Sequence, residues 1–176
     1  MSSHQFVIVD TDNSLELCKY EKALFEEFNT TNNNLIREIW DWNYVEKRVK
    51  RRIPYSSQII FTMQNENGEI DASISINTDK NDRQYNKMGF FNDEDVNEKS
   101  HEAFSTFIRP NSSFSNFQLI KFIKLVIETM KTKYGYNTSY GICPLNIYVI
   151  YKRLGCRVLE EKNINGEVRY FIKLNH

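Results

Sequence analysis

The feature that most constrains the fold is a short helix held between a strand and a hairpin near the end of the chain. Pro144 suits the first helical position, where its missing N–H costs nothing. Gly155 predicts the end, because glycine readily takes the left-handed conformation that closes a helix, and Lys152 and Arg153 suit the negative end of the helix dipole. Spacings of three and four place one apolar face on this helix, made by Leu145, Tyr148, Val149, Tyr151 and Leu154.

The rest of the chain predicts the element order β-α-α-β-β-β-α-β-α-β-β. The predicted helices besides the one above are Asn13 to Phe28, capped by Asn13 with Glu16, then Leu35 to Val49, and Phe114 to Tyr134. The predicted strands are Phe6 to Val9, Gln58 to Gln64, Ile70 to Ile76, Ala103 to Ile108, Asn137 to Cys143, Val158 to Lys162 and Val168 to Leu174. Asn67-Gly68 and Asn165-Gly166 predict hairpin turns, whereas residues 29–34 and 79–99 read as polar loops.

Length and composition are compatible with a single domain over residues 1–176. The chain is 40% hydrophobic and 14% aromatic, which is enough to build a core. Its 23 basic and 23 acidic residues balance, so no overall charge points to nucleic acid or an anionic membrane. No apolar run approaches the length of a membrane span.

Two local features bear on partners and compartment. The run Lys47 to Arg52 is basic, which is typical of a solvated helix end and is the one place suited to phosphate or an acidic carrier protein. The three cysteines, Cys18, Cys143 and Cys156, are too few and too scattered for a disulfide framework or a metal site. A cytoplasmic, metal-free protein is therefore expected.

The segment Tyr151-Lys152-Arg153-Leu154-Gly155-Cys156 resembles the closing signature of the GCN5-related N-acyltransferase (GNAT) superfamily, with Cys156 in place of the usual phenylalanine. The predicted element order is similar to that fold along essentially the whole chain. The resemblance implies an α/β (α+β) single-domain fold, in which a mixed, mostly antiparallel twisted sheet of about seven strands is flanked by four helices. It also implies transfer of an acyl group from acyl-CoA or acyl carrier protein to the amine of a small molecule.

The loop that would bind the acyl donor departs from the family pattern. Ile108-Arg109-Pro110 resembles the family's strand end, but no glycine lies between Pro110 and Tyr134, where glycines usually surround the pyrophosphate. The serines and Asn116 are nevertheless able to cap the helix and leave its first N–H groups for an anion. By resemblance, the donor contacts fall on Phe107, Ile108, Ser113, Phe114, Ser115, Asn116 and Phe117.

Three further residues receive catalytic roles from the resemblance. Tyr151 would protonate the departing thiolate, the amides around Phe107 and Ile108 would face the thioester, and His101 or Glu102 would take the proton of the amine. The alternative is that Tyr151 is a core aromatic and that His101 and Glu102 are exposed polar residues at a strand end.

Three functions remain open at this point. The first is an N-acyltransferase, and the missing glycines suggest the branch that joins long acyl chains from acyl carrier protein to amino acids or related amines. The second is a degenerate, non-catalytic domain that binds a ligand or partner. The third is an unrelated interaction domain.

For the acceptor we expect the region of Trp40, Trp42 and residues 79–99, with the two tryptophans on different sides of a helix. The edge strand of the closing hairpin would also allow a homodimer.

Overall fold

The computed structural model describes residues 4–29, 34–91 and 97–176. The helices are α1 (Ser14–Phe28), α2 (Asn34–Ile39), α3 (Gln84–Lys87), α4 (Asn116–Thr132) and α5 (Leu145–Arg153), and a single 3-10 turn covers Tyr55–Ser57. The strands are β1 (Gln5–Ile8), β2 (Trp40–Asn43), β3 (Arg48–Arg51), β4 (Gln58–Gln64), β5 (Ile70–Asn77), β6 (Ser100–Ile108), β7 (Thr138–Pro144), β8 (Arg157–Ile164) and β9 (Glu167–Asn175).

Seven strands form one sheet in the order β1-β4-β5-β6-β7-β9-β8, and β2 pairs with β3 in a second sheet. The pairs β1/β4, β7/β9 and β8/β9 run antiparallel, whereas β6/β7 runs parallel. This arrangement confirms the predicted fold class. The described chain has five helices instead of four, because α3 forms within the predicted loop 79–99. Residues 92–96 of that loop and residues 30–33 of the predicted loop 29–34 lie outside the described part.

Residue contacts divide the chain into two compact units. One unit is Met1–Ser75 with Ser105–Leu119, and the other is Ile76–Phe104 with Ile120–His176. The first unit has a core that includes Tyr20, Leu24 and Trp40, and the second has an aromatic cluster around Phe171. The single domain over residues 1–176 stays a prediction. Among the described helices, none combines the length and apolarity needed to cross a membrane.

Helix α1 begins and packs as its sequence predicts. The side-chain oxygen of Asn13 accepts hydrogen bonds from the backbone N–H groups of Leu15 at 3.0 Å and Glu16 at 3.3 Å, so two of the helix's unpaired donors are satisfied. The carboxylate of Glu16 in turn accepts from the backbone N–H of Asp10 at 2.9 Å. The apolar face of the helix is buried in the first unit through Tyr20, Ala23, Leu24 and Phe25.

The predicted helix from Leu35 to Val49 is wrong beyond Ile39. The chain leaves α2 and forms an antiparallel hairpin in which Trp40 pairs with Arg51 and Trp42 with Val49. The reason is local: aromatic residues alternate with polar ones over residues 40–43, and such alternation suits a strand with one buried face. The apolar residues of this segment also fit a helical period, because a run this short fits the helical and the strand period alike.

The hairpin changes the environment of both tryptophans and of the basic run. Because side chains two apart on a strand share a face, Trp40 and Trp42 lie on the same side, with ring centroids 6.5 Å apart and nearly parallel planes. The expectation that the two tryptophans lie on different sides is therefore wrong.

The basic run forms strand β3 instead of a solvated helix end. Arg51 is buried, and its guanidinium lies 5.0 Å from the Trp40 ring centroid and donates to the hydroxyl groups of Tyr20 and Ser105.

All eight residues of β5 are buried. The sequence predicts alternation on this strand, and the apolar half, such as Ile74, follows the prediction. The polar half is buried as well: Ser73 donates to the carbonyl oxygen of Phe61 at 3.0 Å, and the hydroxyl of Ser75 is hydrogen-bonded to that of Tyr20. Buried polar groups need such partners, because an unpaired one costs free energy.

In the second unit, helix α5 ends as the sequence predicts. Gly155 has a φ of 86°, in the left-handed region. The N–H of Gly155 donates to the carbonyl oxygen of Lys152 at 3.1 Å, and the N–H of Cys156 donates to that of Tyr151 at 3.2 Å. These two bonds form the Schellman arrangement, which satisfies the last carbonyl groups of a helix and turns the chain sharply into the following strand.

The parallel ladder between β6 and β7 begins with three residue pairs, Ser100 with Thr138, His101 with Ser139 and Glu102 with Tyr140. One residue further on β7 is Gly141. A Cβ atom built on Gly141 would lie 2.7 Å from the carbonyl oxygen of Ala103. The backbones therefore approach closely at this point, and glycine is the residue that permits it.

We expect Gly141→Ala to destabilise the protein by ~1–3 kcal/mol, because the added methyl group contacts a backbone oxygen that a side-chain movement cannot relieve. Chemical denaturation measures the free energy of unfolding. Thr138→Ala, on the same strand, removes a hydroxyl whose bond to Asn137 is exposed to solvent and serves as the control. Equal stability of the two variants would contradict the close approach.

Candidate active site

The loop that follows β6 in the first unit is fixed by a carboxylate on β5. The N–H of Arg109 donates to the carbonyl oxygen of Asp71 at 2.7 Å, and the guanidinium of Arg109 lies 2.8 Å from an oxygen of the Asp71 side chain. Glu69 contacts the same guanidinium nitrogen at 3.0 Å. Charged hydrogen bonds of this kind are among the stronger ones in proteins. The strand end Ile108-Arg109-Pro110 therefore has a defined position in its unit.

Helix α4 starts with a reciprocal cap. The hydroxyl oxygen of Ser115 accepts from the backbone N–H of Gln118 at 3.3 Å, and the side-chain oxygen of Gln118 accepts from the backbone N–H of Ser115 at 2.7 Å. Ser112 adds a third bond by accepting from the N–H of Phe114 at 3.3 Å. This capping box confirms that serine caps the helix. It also occupies the N–H of Gln118, one of the groups that would otherwise be open to an anion.

The residues predicted to contact the donor lie around this one turn of the first unit. Phe107 is buried at the end of β6, and Ile108 is half-buried. In the loop, Phe114 is buried whereas Ser113, Ser115 and Asn116 are exposed. Phe117 is also exposed and presents 64% of its surface. The fold thus brings the predicted donor residues together, with one large apolar side chain facing solvent.

In the second unit, Glu102 is a buried carboxylate with three hydrogen-bond donors. It accepts from the backbone N–H groups of Gln84 and Tyr85, both at 2.8 Å, and from the side-chain amide of Asn77 at 3.0 Å. Burial raises the pKa of Glu102, and these hydrogen bonds oppose the rise. The alternative prediction of an exposed strand-end residue is wrong, because Glu102 holds the start of α3 from inside the unit.

His101 points to the opposite face of β6, since successive residues on a strand alternate. Its Nε2 atom lies 2.7 Å from the hydroxyl oxygen of Ser139, and the Nε2 atom of His176 lies 2.6 Å from the same oxygen. One serine hydroxyl thus joins two imidazoles. Burial, His176 and Arg83 all hold the pKa of His101 well below its usual value, so the ring is neutral at pH 7. Like Glu102, His101 is buried instead of exposed.

Sequence reasoning did not find Ser139 and His176. They lie 38 and 75 positions after His101, and neither belongs to a recognisable motif. The one signal is a serine on β7 and a histidine just after β9, which is too common to identify a cluster.

Tyr151 belongs to the same unit as His101 and Glu102. It lies on the inward face of α5 and is 7% exposed. Tyr148, one turn earlier, lies at the surface side of the helix and stacks on Tyr170 with ring centroids 4.5 Å apart.

Cys143 is also buried, and burial raises the pKa of its thiol to about 12, which makes it a poor nucleophile.

An open cleft of about 280 Å³ lies in the first unit, between α1 and the β2/β3 hairpin. Trp42 lines it together with the carboxylates of Glu21, Asp41 and Glu46 and the cationic side chains of Arg48 and Lys50. Glu21 is buried and accepts from the guanidinium of Arg48 at 2.6 Å and from the hydroxyl of Tyr55 at 2.5 Å. Burial and the bond to Glu21 raise the pKa of Tyr55, which stays protonated. The sequence indicated Trp42 but gave no signal for Glu21 or Tyr55.

Within residues 4–29, 34–91 and 97–176, no group of three or more histidine, cysteine, aspartate or glutamate side chains is placed to hold a metal ion.

The buried histidine gives a pH-dependent prediction. The unfolded chain binds a proton at His101 near pH 6.5, whereas the folded chain does so only at lower pH. The unfolded state therefore binds more protons below pH 6.5, and stability falls as the pH decreases, by up to ~1.4 kcal/mol per unit. We expect His101→Gln to lose less stability than the unmodified protein between pH 7.5 and 5.5 in denaturant titrations. Equal losses would contradict the neutral, buried state of His101.

No protein-family model matches the chain, and no curated protein matches it in sequence. Solved structures do match. The AHL synthase LasI superposes with a TM-score of 0.75 at 11% identity, over 99% of this chain and 91% of that one. TofI, solved in a ternary complex with an inhibitor and MTA, gives 0.74 at 9% identity, over 97% and 91%. The ribosomal-protein-S18-alanine N-acetyltransferase from Escherichia coli gives 0.61 at 10% identity, over 98% and 94%. The chain has the fold of the GNAT acetyltransferases.

Proposed function

We propose that this protein is an N-acyltransferase that moves an acyl group from a thioester to the amine of a small molecule. The observation that carries the proposal is the fixed strand end Ile108-Arg109-Pro110, followed by the capped start of α4. This is the place at which the resembled family binds its acyl donor. The structural neighbours named as AHL synthase and N-acetyltransferases support the same reaction class.

The donor-binding loop favours a donor that does not depend on a glycine-rich diphosphate site. The N–H groups of Phe114, Ser115 and Gln118 already have partners inside the loop. Without glycine, every residue here also carries a Cβ that keeps a diphosphate further from the backbone. We therefore propose an acyl carrier protein thioester as the donor, with acyl-CoA as the alternative. The exposed ring of Phe117 is suited to an apolar acyl chain.

For the chemistry, the amides around Phe107 and Ile108 are proposed to stabilise the oxyanion. Tyr151 would protonate the sulfur through its hydroxyl group. His101 is the preferred base, because it is neutral and its Nδ1 atom has no hydrogen-bond partner among the described residues. Glu102 is the second candidate, since three donors already occupy its carboxylate.

We propose the cleft beside Trp42 as the acceptor site. An amine is cationic before it reacts, and an aromatic ring flanked by carboxylates attracts such a group. Trp42, Asp41 and Glu46 provide that combination in the first unit, where Asp41 is paired with Arg52 and Glu46 with Arg48, so that an amine would share these carboxylates with the arginines. We propose the cytoplasm as the location. For pairing of two protomers, β8 offers the edge of the seven-stranded sheet, although its bulge near Val158 and Glu160 disrupts part of that edge.

A second function has an observation in its favour. A degenerate domain that binds a partner without catalysis would explain why the helix start caps itself and why glycine is absent from the loop. The third hypothesis, an unrelated interaction domain, is less consistent with a fold shared over nearly the whole chain with transferases.

The donor can be identified by thermal unfolding in the presence of acyl-CoAs of increasing chain length and of matched acyl carrier proteins. A ligand at a hundred times its Kd stabilises by roughly 2.7 kcal/mol. We expect stabilisation by the acylated carrier protein, growing with chain length, and less by any acyl-CoA. Unacylated carrier protein is the control. Stabilisation by acetyl-CoA alone would contradict the proposed donor.

The proton donor can be tested by Tyr151→Phe. We expect the turnover number to fall by at least ~10-fold, since general acid catalysis commonly contributes 10² to 10⁴, with little change in the melting temperature. Tyr148→Phe is the matched control, because it removes a hydroxyl from the same helix at a ring that stacks on Tyr170. Unchanged turnover in Tyr151→Phe would exclude this residue as the acid.

A further inference from the structure

His4 joins the anchor of the donor loop to the loop itself. Its Nε2 atom lies 2.9 Å from one oxygen of the Asp71 carboxylate, and the other oxygen of that carboxylate binds Arg109 at 2.8 Å. The His4 ring also packs edge-on against Phe114, with centroids 5.1 Å apart. One imidazole therefore contacts both Asp71, which holds the strand end, and Phe114, which lies next to the cap of α4.

Burial limits the conformations that the side chains of His4 and Asp71 can adopt. The side chain of His4 is 4% exposed and that of Asp71 is 3% exposed. In such surroundings a hydrogen bond is stronger and an unpaired carboxylate oxygen is costly. With both oxygens of Asp71 engaged, the carboxylate has one orientation, and Arg109 follows it. Asn65 adds only a longer contact, at 3.4 Å, to the oxygen that already binds Arg109.

We propose that His4 is a positioning residue for acyl transfer: it fixes Asp71 and Phe114, and through them the conformation of residues 109–115. The part of this inference that concerns the acyl donor rests on the proposed function. His4 touches no reacting group, so its loss should impair use of the donor and leave use of the amine acceptor unchanged.

Two variants separate the two contacts of His4. His4→Phe keeps a ring beside Phe114 but leaves one oxygen of Asp71 without its donor. His4→Gln keeps a side-chain N–H for Asp71 but removes the ring. Gln5→Ala, at the adjacent and exposed position of β1, is the control. If the melting temperature of His4→Phe falls, both measurements below are made at a temperature at which all variants are folded.

The first measurement is hydrogen exchange of the backbone amides of residues 111–118. We expect exchange about tenfold faster in His4→Phe, an intermediate change in His4→Gln, and unchanged exchange in Gln5→Ala, because a buried hydrogen bond limits local opening. Exchange in α1 should stay the same in all three. Exchange of residues 111–118 within twofold of the unmodified protein in His4→Phe would overturn the positioning role.

The second measurement is steady-state kinetics with the donor identified by thermal unfolding. We expect the KM for the donor to rise about tenfold in His4→Phe and the KM for the amine to stay within twofold, with partial rescue in His4→Gln. Equal increases in both KM values would indicate general damage and overturn the proposal. If no donor is turned over by the unmodified protein, the proposed function fails, and the exchange result alone decides whether His4 positions the loop.

Discussion

Strand β5 imposes the constraint on which much of this structure depends, because all of its side chains are buried and every second one is polar. Each polar side chain has to find a partner, since burying it unpaired costs free energy. In the first unit, Asp71 binds His4 and Arg109, and Ser75 is hydrogen-bonded to Tyr20, which also accepts from the buried Arg51. The side chains of β5 are thus bonded to Arg109, just after β6, and to Tyr20 of α1, which in turn accepts from Arg51 of β3.

The same requirement operates in the second unit through Asn77. Its side-chain amide donates to the backbone carbonyl of Asp82 at 2.7 Å and to the carboxylate of Glu102 at 3.0 Å. Arg83, which is fully buried, donates to the carbonyl oxygens of Asn77 and Ser100. A segment that reads as a polar loop is therefore held by hydrogen bonds at Asp82, Arg83, Gln84 and Tyr85, and Glu102, one of the two candidate bases, belongs to this network.

Local signals explain which elements were predictable. Asn13, Gly155 and the Asn165-Gly166 turn each act through their own backbone, so their sequence neighbours are sufficient to identify them. The hairpin of Trp40 and Trp42 was missed because a short run of apolar residues fits a helical and a strand period about equally. The proposed donor loop was placed after Ile108-Arg109-Pro110 by resemblance, but its internal cap depends on the geometry of Ser115 and Gln118.

The contacts that define the candidate sites could not be read from the sequence, because they join distant residues. His4 and Asp71 are 67 positions apart, and His176 reaches Ser139 across 37. Periodicity reports which face of an element is buried, but it does not report which polar group on another element completes a buried pair. The polar half of β5 is the clearest case, since polar residues alternate with apolar ones along its sequence and the fold buries both sets.

The central claim is that the protein transfers an acyl group from a thioester to an amine. Mass spectrometry tests it most directly, by incubating the protein with an isotopically labelled acyl thioester of carrier protein or CoA and a mixture of primary amines. We expect a labelled amide that forms only when protein, donor and amine are all present, together with one equivalent of free thiol. Thiol release that is independent of amine, or the absence of any labelled amide with every donor, would contradict it and favour a non-catalytic binding domain.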